Sequence, residues 1–177
     1  MGALEFPGRR LTRAGGTAVH INPDHFLQTP DGRLTTRGRN ATAWEQCFAA
    51  LPDALSRAAS TSSSLYVLVG AQGSGKSTWA RARVQLEPGC VVFDAILVKR
   101  AERAPLVAHA RRHGVPAIAV WFRTPLDACL ARNAARPADE VAHEQGLRNV
   151  FAALEPPTEQ EGFVSVWHVD ADSKSPG

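Results

Sequence analysis

Long apolar runs are missing from this chain of 177 residues. No stretch comes near the roughly 20 consecutive apolar residues that a membrane-spanning helix requires. The opening residues, MGALEFP, lack the basic segment followed by an apolar one that is typical of a secretion signal. These two absences argue against a membrane or secreted protein and predict a cytoplasmic one.

Cysteine is also scarce. The three cysteines, Cys47, Cys90 and Cys129, are odd in number, far apart in the chain and set in apolar sequence. Disulfide frameworks and thiolate metal sites need cysteines in even or closely spaced sets. We therefore predict that all three are small buried side chains in a reducing compartment.

A strong excess of one charge is absent too, since the formal net charge is only +3. The same charge of +3 is carried by the N-terminal segment alone, where six arginines oppose three acids: Arg9, Arg10, Arg13, Arg33, Arg37 and Arg39 against Glu5, Asp24 and Asp31. This asymmetry favours a polyanionic partner such as nucleic acid. The arm formed by residues 1–17 is either frayed or a contact for phosphates.

The most informative stretch is LYVLVGAQGSGKSTW at residues 65–79. A β-branched apolar run leads into the spacing G-x-x-x-x-G-K-[ST]. Glycines let consecutive N–H groups turn inward around a phosphate, and the following helix points its N-terminus at the same anion. In this pattern the lysine contacts the β- and γ-phosphates and the serine hydroxyl binds Mg²⁺. The stretch predicts an ATP-type nucleotide site, with contacts from Gly70, Gln72, Gly73, Ser74, Gly75, Lys76, Ser77 and Thr78.

Strand-like and helix-like segments alternate along the chain, which predicts an α/β sandwich with a mainly parallel sheet. The predicted strands are 18–21, 65–69, 90–94, 115–122 and 163–169, and the predicted helices are 43–59, 78–86, 97–113, 127–135 and 141–154. Residues 33–39 are predicted as a basic loop. Pro52 should bend or split its helix, the serine-rich residues 60–64 should form a flexible linker, and Trp79, Trp121 and Trp167 should lie in the core.

Several of these residues carry a resemblance to a known family. The shared features are GAQGSGKSTWAR, the strand-end Asp94, TPL at residues 124–126, LARNAAR at residues 130–136 and P-x-x-x-EGF at residues 157–163. From Gly70 to about Val169 the chain resembles phage-type and bacterial polynucleotide kinases and their P-loop kinase relatives, including zeta-toxin-type kinases. The resemblance implies a three-layer, five-stranded P-loop kinase domain over residues 18–170, with a tail at residues 171–177.

The same resemblance implies a helical lid at about residues 127–150. Its Arg136 would contact the transferring phosphoryl group, and its Arg132 would contact the nucleotide. Phosphoryl transfer depends mostly on positioning and charge neutralisation, and a guanidinium suits both tasks. The alternative is that both arginines lie on a solvated helix face.

One departure from the family concerns chain order. In those kinases the phosphate-loop helix leads to a strand that ends in the acidic general base, then to a helix and a second strand that ends in Asp. Here only one strand lies between the phosphate loop and the helix of residues 97–113. The missing unit resembles the N-terminal strand that ends in INPDHF, followed by the helix of residues 43–59. We therefore predict a circular permutation that places Asp24 as the base.

Asp94 would then hold Mg²⁺ through water, together with Ser77. The alternative is that Asp24 only stabilises a turn after Pro23, which would leave Asp94 as the base. The function predicted is an ATP-dependent kinase acting on a hydroxyl group, with catalytic residues Lys76, Asp24, Arg136 and Asp94. A 5′-hydroxyl nucleic-acid end is the favoured acceptor. A small-molecule kinase and a non-kinase ATP-binding module are the alternatives, because P-loop folds serve many functions.

Overall fold

The computed structural model describes residues 16–30, 32–33 and 36–170. The predicted tail at residues 171–177 lies outside the described residues, as does all of the predicted arm except residues 16 and 17. The proposed phosphate contacts from Arg9, Arg10 and Arg13 therefore stay predictions.

A five-stranded parallel sheet forms the centre of the molecule. In chain order the strands are β1 (Val19–Ile21), the short hairpin strands β2 (Gln28–Thr29) and β3 (Gly32–Arg33), β4 (Leu65–Val69), β5 (Val91–Asp94), β6 (Ala117–Phe122) and β7 (Ser165–Val169). The large sheet has the order β1-β5-β4-β6-β7, and every neighbouring pair in it is parallel. The predicted fold class is confirmed, with the phosphate-loop strand β4 in the middle.

The described residues form five helices: α1 (Arg37–Ser60), α2 (Lys76–Leu86), α3 (Arg100–Arg112), α4 (Leu126–Ala134) and α5 (Glu144–Ala152). Short 3-10 turns occupy Pro23–Phe26 and Glu159–Glu161. Within the described part of the chain, no helix combines the length and apolarity needed to cross a bilayer.

The strands are apolar on both faces because each face is covered by helix. Side chains alternate along a strand, so Leu65 and Val67 pack toward α1 and α3, while Tyr66 and Leu68 pack toward α2. All five residues of β4 are buried. This two-sided burial is typical of parallel sheets and explains the continuous apolar run before the phosphate loop.

The helix predicted at residues 43–59 begins six residues earlier than expected. Thr36 caps it, because its Oγ1 accepts a hydrogen bond from the Arg39 amide at 3.2 Å. Arg37 and Arg39 are therefore helical, and the prediction of a basic loop over residues 33–39 is wrong for them. Pro52 lies inside α1 without splitting it, so that alternative is wrong as well.

The prediction of a flexible linker at residues 60–64 is also wrong. Ser60 ends α1, and the chain reverses through Ser62, whose φ of 50° lies in the left-handed region. Ser63 is buried, and its Oγ accepts from Thr61 Oγ1 at 3.0 Å and donates to the Pro88 carbonyl at 3.3 Å. Side-chain hydrogen bonds of this kind make a serine-rich segment a tight turn.

An ion pair that the sequence did not predict fixes the start of α3. Arg103 is fully buried, forms a two-pronged pair with Glu161 at 2.8 and 2.7 Å, and donates to the carbonyls of Leu97 and Val98. Those two carbonyls accept from a side chain, and α3 accordingly begins at Arg100 rather than at residue 97. The EGF motif thus has a structural role: Glu161 binds Arg103 of α3, and Phe163 packs in the core.

The tryptophans divide between core and surface. Trp79 is buried, as predicted. Trp167 was expected in the core but is 37% exposed, because β7 is an edge strand and its outer face is only partly covered. Its ring lies with those of Tyr66 and Trp79 around the Arg83 guanidinium, about 5 Å from each centroid.

Candidate nucleotide and catalytic site

The phosphate loop connects β4 to α2 and packs closely against α4. Gly73 and Gly75 have φ values of 77° and 103°, which favour glycine. A Cβ added to Gly73 would lie 2.5 Å from the Cys129 carbonyl oxygen. The buried Thr124 adds a second attachment, because its Oγ1 donates to the Ser74 carbonyl at 2.9 Å. The predicted TPL motif therefore holds the loop in place.

Lys76 is the first residue of α2, and its side chain reaches back into the phosphate loop. Its Nζ donates to the carbonyls of Gly70 and Ala71 at 2.8 and 2.9 Å, and the side chain is buried. Burial lowers the pKa of Lys76, and the Arg136 charge lowers it further, whereas the Asp94 and Asp24 carboxylates raise it. The lysine is thus within electrostatic reach of the lid arginine and of both candidate acids.

Polar side chains line the loop around this lysine. Ser74 Oγ and Gln72 Oε1 are buried and have no hydrogen-bond partner among the described residues. Ser77 is half-buried at the start of α2, and Thr78 next to it is exposed. Buried oxygens without partners lower the stability of the fold unless a ligand or water hydrogen-bonds them. These atoms are therefore consistent with a loop that binds a polar ligand.

Asp94 is the most strongly held carboxylate in the site. Its Oδ2 accepts from Ser77 Oγ at 2.7 Å and Asn22 Nδ2 at 3.0 Å, and it lies 3.2 Å from His20 Nε2. Burial alone would raise the pKa of Asp94, but the contacts with His20 and Ser77 and the Lys76 charge bring it below its ordinary value. The group is an ionised carboxylate fixed beside the serine that was predicted to bind metal.

Sequence reasoning missed the roles of His20 and Asn22. Both follow from sheet pairing, because β1 lies parallel to β5 with Ile21 opposite Phe93. The next residues of the two strands, Asn22 and Asp94, therefore meet at the same edge. The position of INPDHF at the end of a strand was visible in the sequence. Its contact with Asp94 could be predicted only once the order of strands in the sheet was known.

Asp24 lies one turn further along, in the 3-10 segment after β1. The turn-stabilising role belongs to its neighbour, since Asn22 Oδ1 accepts from the Asp24 amide at 2.8 Å. The Asp24 side chain is half-buried. Its charge raises the pKa of Cys47 in α1 and of Lys76 in the loop. The 3-10 segment that carries Asp24 packs against α1, and Asp24 is within electrostatic reach of Lys76.

The predicted lid residues are on and just after α4. Arg132 is exposed, and its Nη1 donates to the Gly73 carbonyl at 3.5 Å. Arg136 is half-buried beyond the end of the helix, and its charge is felt by Lys76. Asn133 ties the segment back by exchanging hydrogen bonds with the Ala142 backbone at 2.7 and 3.0 Å. Arg132 is thus next to the loop on an exposed helix face, and Arg136 is within electrostatic reach of Lys76.

Comparison with known proteins gives one family match and one reported structure. Residues 85–157 match the AAA_33 family model, described as an AAA domain; the match covers fewer than half of the residues and begins after the phosphate loop. No curated protein matches the chain. A similar solved structure is that of Chaetomium thermophilum Kti12 in complex with ADP-AlF3, with 14% identity, a TM-score of 0.43 and 89% of each chain covered. Because the phosphate loop joins the central strand β4 of a parallel sheet to α2 on one face of that sheet, the chain has the fold of a P-loop NTPase.

Proposed function

We propose that this protein is an ATP-dependent kinase that transfers the γ-phosphate to a hydroxyl group, with a 5′-hydroxyl nucleic-acid end as its acceptor. One observation carries the proposal: the charges of two carboxylates act on Lys76 in the phosphate loop, and the two acids differ in how deeply they are buried. Asp94 is buried against Ser77, Asn22 and His20, whereas Asp24 is half-buried on the 3-10 segment that packs against α1. A kinase needs an acid near the γ-phosphate with room for an acceptor.

The catalytic work divides between these two acids. Asp24 hydrogen-bonds the acceptor hydroxyl and takes its proton as the oxygen attacks the γ-phosphorus in line. Asp94 is unsuited to that task, because its pKa is lowered and its Oδ2 already meets three side chains. It is suited instead to stabilise a cation.

The residues around Ser77 fit a magnesium site. A serine hydroxyl 2.7 Å from an ionised carboxylate is an oxygen donor set of the kind that Mg²⁺ uses beside substrate phosphates. When bound, the ion neutralises charge that develops on the β- and γ-phosphate oxygens. Ser77 and Asp94 would hold it.

The cationic side chains complete the phosphate site. Lys76 takes the β- and γ-phosphates in exchange for the carbonyls of Gly70 and Ala71 that it now contacts. Arg136 stabilises the transferring phosphoryl group from the lid side, and Arg132 contacts the nucleotide next to Gly73. Fixed positive charge of this kind supplies most of the rate in phosphoryl transfer.

We further propose that the β1–α1 unit is circularly permuted relative to polynucleotide kinases. The unit comes before β4 in the chain, yet β1 pairs with β5 at the sheet edge and delivers Asn22 to Asp94. The family match begins only at residue 85, after the phosphate loop. This supports the proposal, because in the family order the displaced unit would stand between the loop and the matched region. Permutation is tolerated where the chain is opened at surface connections.

Transfer of label from γ-labelled ATP to a short 5′-hydroxyl RNA or DNA, with Mg²⁺, tests the function. We expect label on the oligonucleotide and a loss of at least about a hundredfold in a Lys76→Ala control. Binding of ATP without transfer to either oligonucleotide would contradict the nucleic-acid acceptor and favour a small-molecule acceptor. Absence of ATP binding would contradict the kinase itself.

A further inference from the structure

A pocket of about 450 Å³ opens between α1 and α3, apart from the phosphate loop. Its walls are Trp44 and Phe48 from α1, Ile96 from the segment after β5, and Glu102 and Pro105 from α3. Four of the five side chains are apolar or aromatic. Apolar and aromatic walls of this kind can bind a small organic group.

The two aromatic rings of the wall lie against each other and against the core. The rings of Trp44 and Phe48 are 6.0 Å apart at an interplanar angle of 25°. Both pack on Phe93 in the buried strand β5, with centroids 6.1 and 5.9 Å away. Both rings are half-buried, so part of each remains accessible to a guest. Such a wall suits a planar ring, because aromatic stacking is largely independent of ring identity.

The pocket lies next to the proposed reacting groups. Ile96 lies two residues after Asp94, just beyond the end of β5, and the 3-10 segment that carries Asp24 packs against α1, the helix of Trp44 and Phe48. A molecule seated in the pocket thus lies at the same carboxyl edge of the sheet as the two carboxylates.

Charge restricts which part of an acceptor fits. Glu102 is the charged member of the wall, and its Oε2 accepts from the Lys99 amide at 2.9 Å, which fixes the carboxylate in place. A fixed carboxylate disfavours a phosphate inside the pocket. The exposed Arg37, however, lies seven residues before Trp44 on the same face of α1, about 10 Å along the helix axis. Along α1, an aromatic surface that can bind a neutral ring thus lies near a cation that can bind a phosphate.

We propose that the Trp44–Phe48 pocket binds the terminal nucleobase of the acceptor strand, and that Arg37 contacts a phosphate further along the strand. The inference rests on the proposed function, and it assigns the acceptor subsite. The base stacks on the Trp44 ring, Glu102 keeps phosphate out, and the sugar 5′-hydroxyl is directed toward Asp24. A small sugar would leave most of this aromatic surface unused.

The test measures binding without ATP, so it does not depend on phosphoryl transfer. Two short 3′-fluorescein oligonucleotides with a 5′-hydroxyl are compared by anisotropy: one begins with adenosine, and the other begins with an abasic residue. We expect the wild type to bind the adenosine form roughly tenfold more tightly. The Trp44→Leu variant, which keeps apolar bulk against Phe93, should bind both forms equally. Equal binding by the wild type, or an undiminished preference in the variant, would overturn the proposal.

Arg37→Gln provides a second variant at an exposed position, with Arg39→Gln on another face of α1 as its matched control. We expect Arg37→Gln to weaken both oligonucleotides severalfold and to lower the salt dependence of binding, whereas Arg39→Gln changes neither. Equal effects of the two substitutions would remove the phosphate contact from the proposal. If the base preference holds but no label is transferred, the proposed function fails and the pocket stands. If label is transferred without a base preference, the pocket alone fails.

Discussion

The two carboxylates at the carboxyl edge of the sheet have different surroundings. Asp94 ends β5, is 2% exposed and meets Ser77, Asn22 and His20 with a single oxygen. Asp24 follows β1 on a 3-10 turn and is half-buried. An acid held by several donors is fixed and has a low pKa, which suits metal binding. A less enclosed acid can reach an acceptor. The difference predicts a base and a metal ligand from two otherwise similar residues.

The largest expected effect comes from removing the base. Asp24→Asn preserves size and hydrogen bonding but cannot take a proton, so we expect transfer to fall by about a thousandfold. The affinity for ATP should change little, because Asp24 does not belong to the phosphate loop. Rapid-quench transfer and calorimetric ATP binding check this. A parallel loss of ATP affinity would place Asp24 among the nucleotide contacts instead.

Asp94→Asn should act on the metal rather than on proton transfer. Loss of the ionised partner of Ser77 should raise the Mg²⁺ concentration for half-maximal activity by roughly 10–100-fold. A magnesium titration of the transfer rate measures the shift. The conservative Asp127→Asn substitution, at an exposed acid on α4, is a control that should leave the titration unchanged.

A smaller effect is expected when one of the hydrogen-bond donors to Asp94 is removed. Asn22→Ala deletes the 3.0 Å hydrogen bond to Asp94 and also the cap on the Asp24 amide. We expect a loss of about 1–3 kcal/mol in the free energy of unfolding. Urea unfolding measures it, and an Asn149→Ala change in the exposed part of α5 should cost much less. Unchanged stability would mean that the β1 edge is not anchored through Asp94.

The smallest expected effect concerns stability at alkaline pH, and it tests whether Asp24 lies near α1. Burial raises the pKa of Cys47 from about 9 to about 11, and the Asp24 charge adds to the rise. The folded thiol keeps its proton between these pH values while the unfolded thiol loses it, so stability falls as the pH rises from 9 to 11. Asp24→Asn should lessen this fall by a few tenths of a kcal/mol. The free energy of unfolding, measured at pH 8 and pH 10.5 for both proteins, checks this. An equal fall in stability in both proteins would contradict the placement of Asp24 near α1.

Much of the fold could be predicted because its signals are local. The apolar run of β4, the glycine spacing and the alternation of strands and helices follow from neighbouring residues. The errors arose where distant partners decide the structure. Ser63 is ordered by the Pro88 carbonyl and the start of α3 by Arg103 and Glu161, and neither partner is adjacent in sequence.

The site shows the same division. Lys76 and Ser77 were predicted from their motif, and the acid pair Asp24 and Asp94 from strand-end positions. The contacts of His20 and Asn22 with Asp94 required the pairing of β1 with β5, because 74 and 72 residues separate the partners. Sheet order, which a single sequence specifies only weakly, is what turns two separate motifs into one site.

The most direct test of the division of labour is a Mg²⁺ titration of label transfer in Asp24→Asn and Asp94→Asn, run side by side at saturating ATP and oligonucleotide. The account predicts that high Mg²⁺ restores much of the rate to Asp94→Asn and none to Asp24→Asn. Near-normal transfer by Asp24→Asn, with Asp94→Asn inactive at every Mg²⁺ concentration, would contradict it. Asp94 would then be the base, and the permuted unit would have no catalytic role.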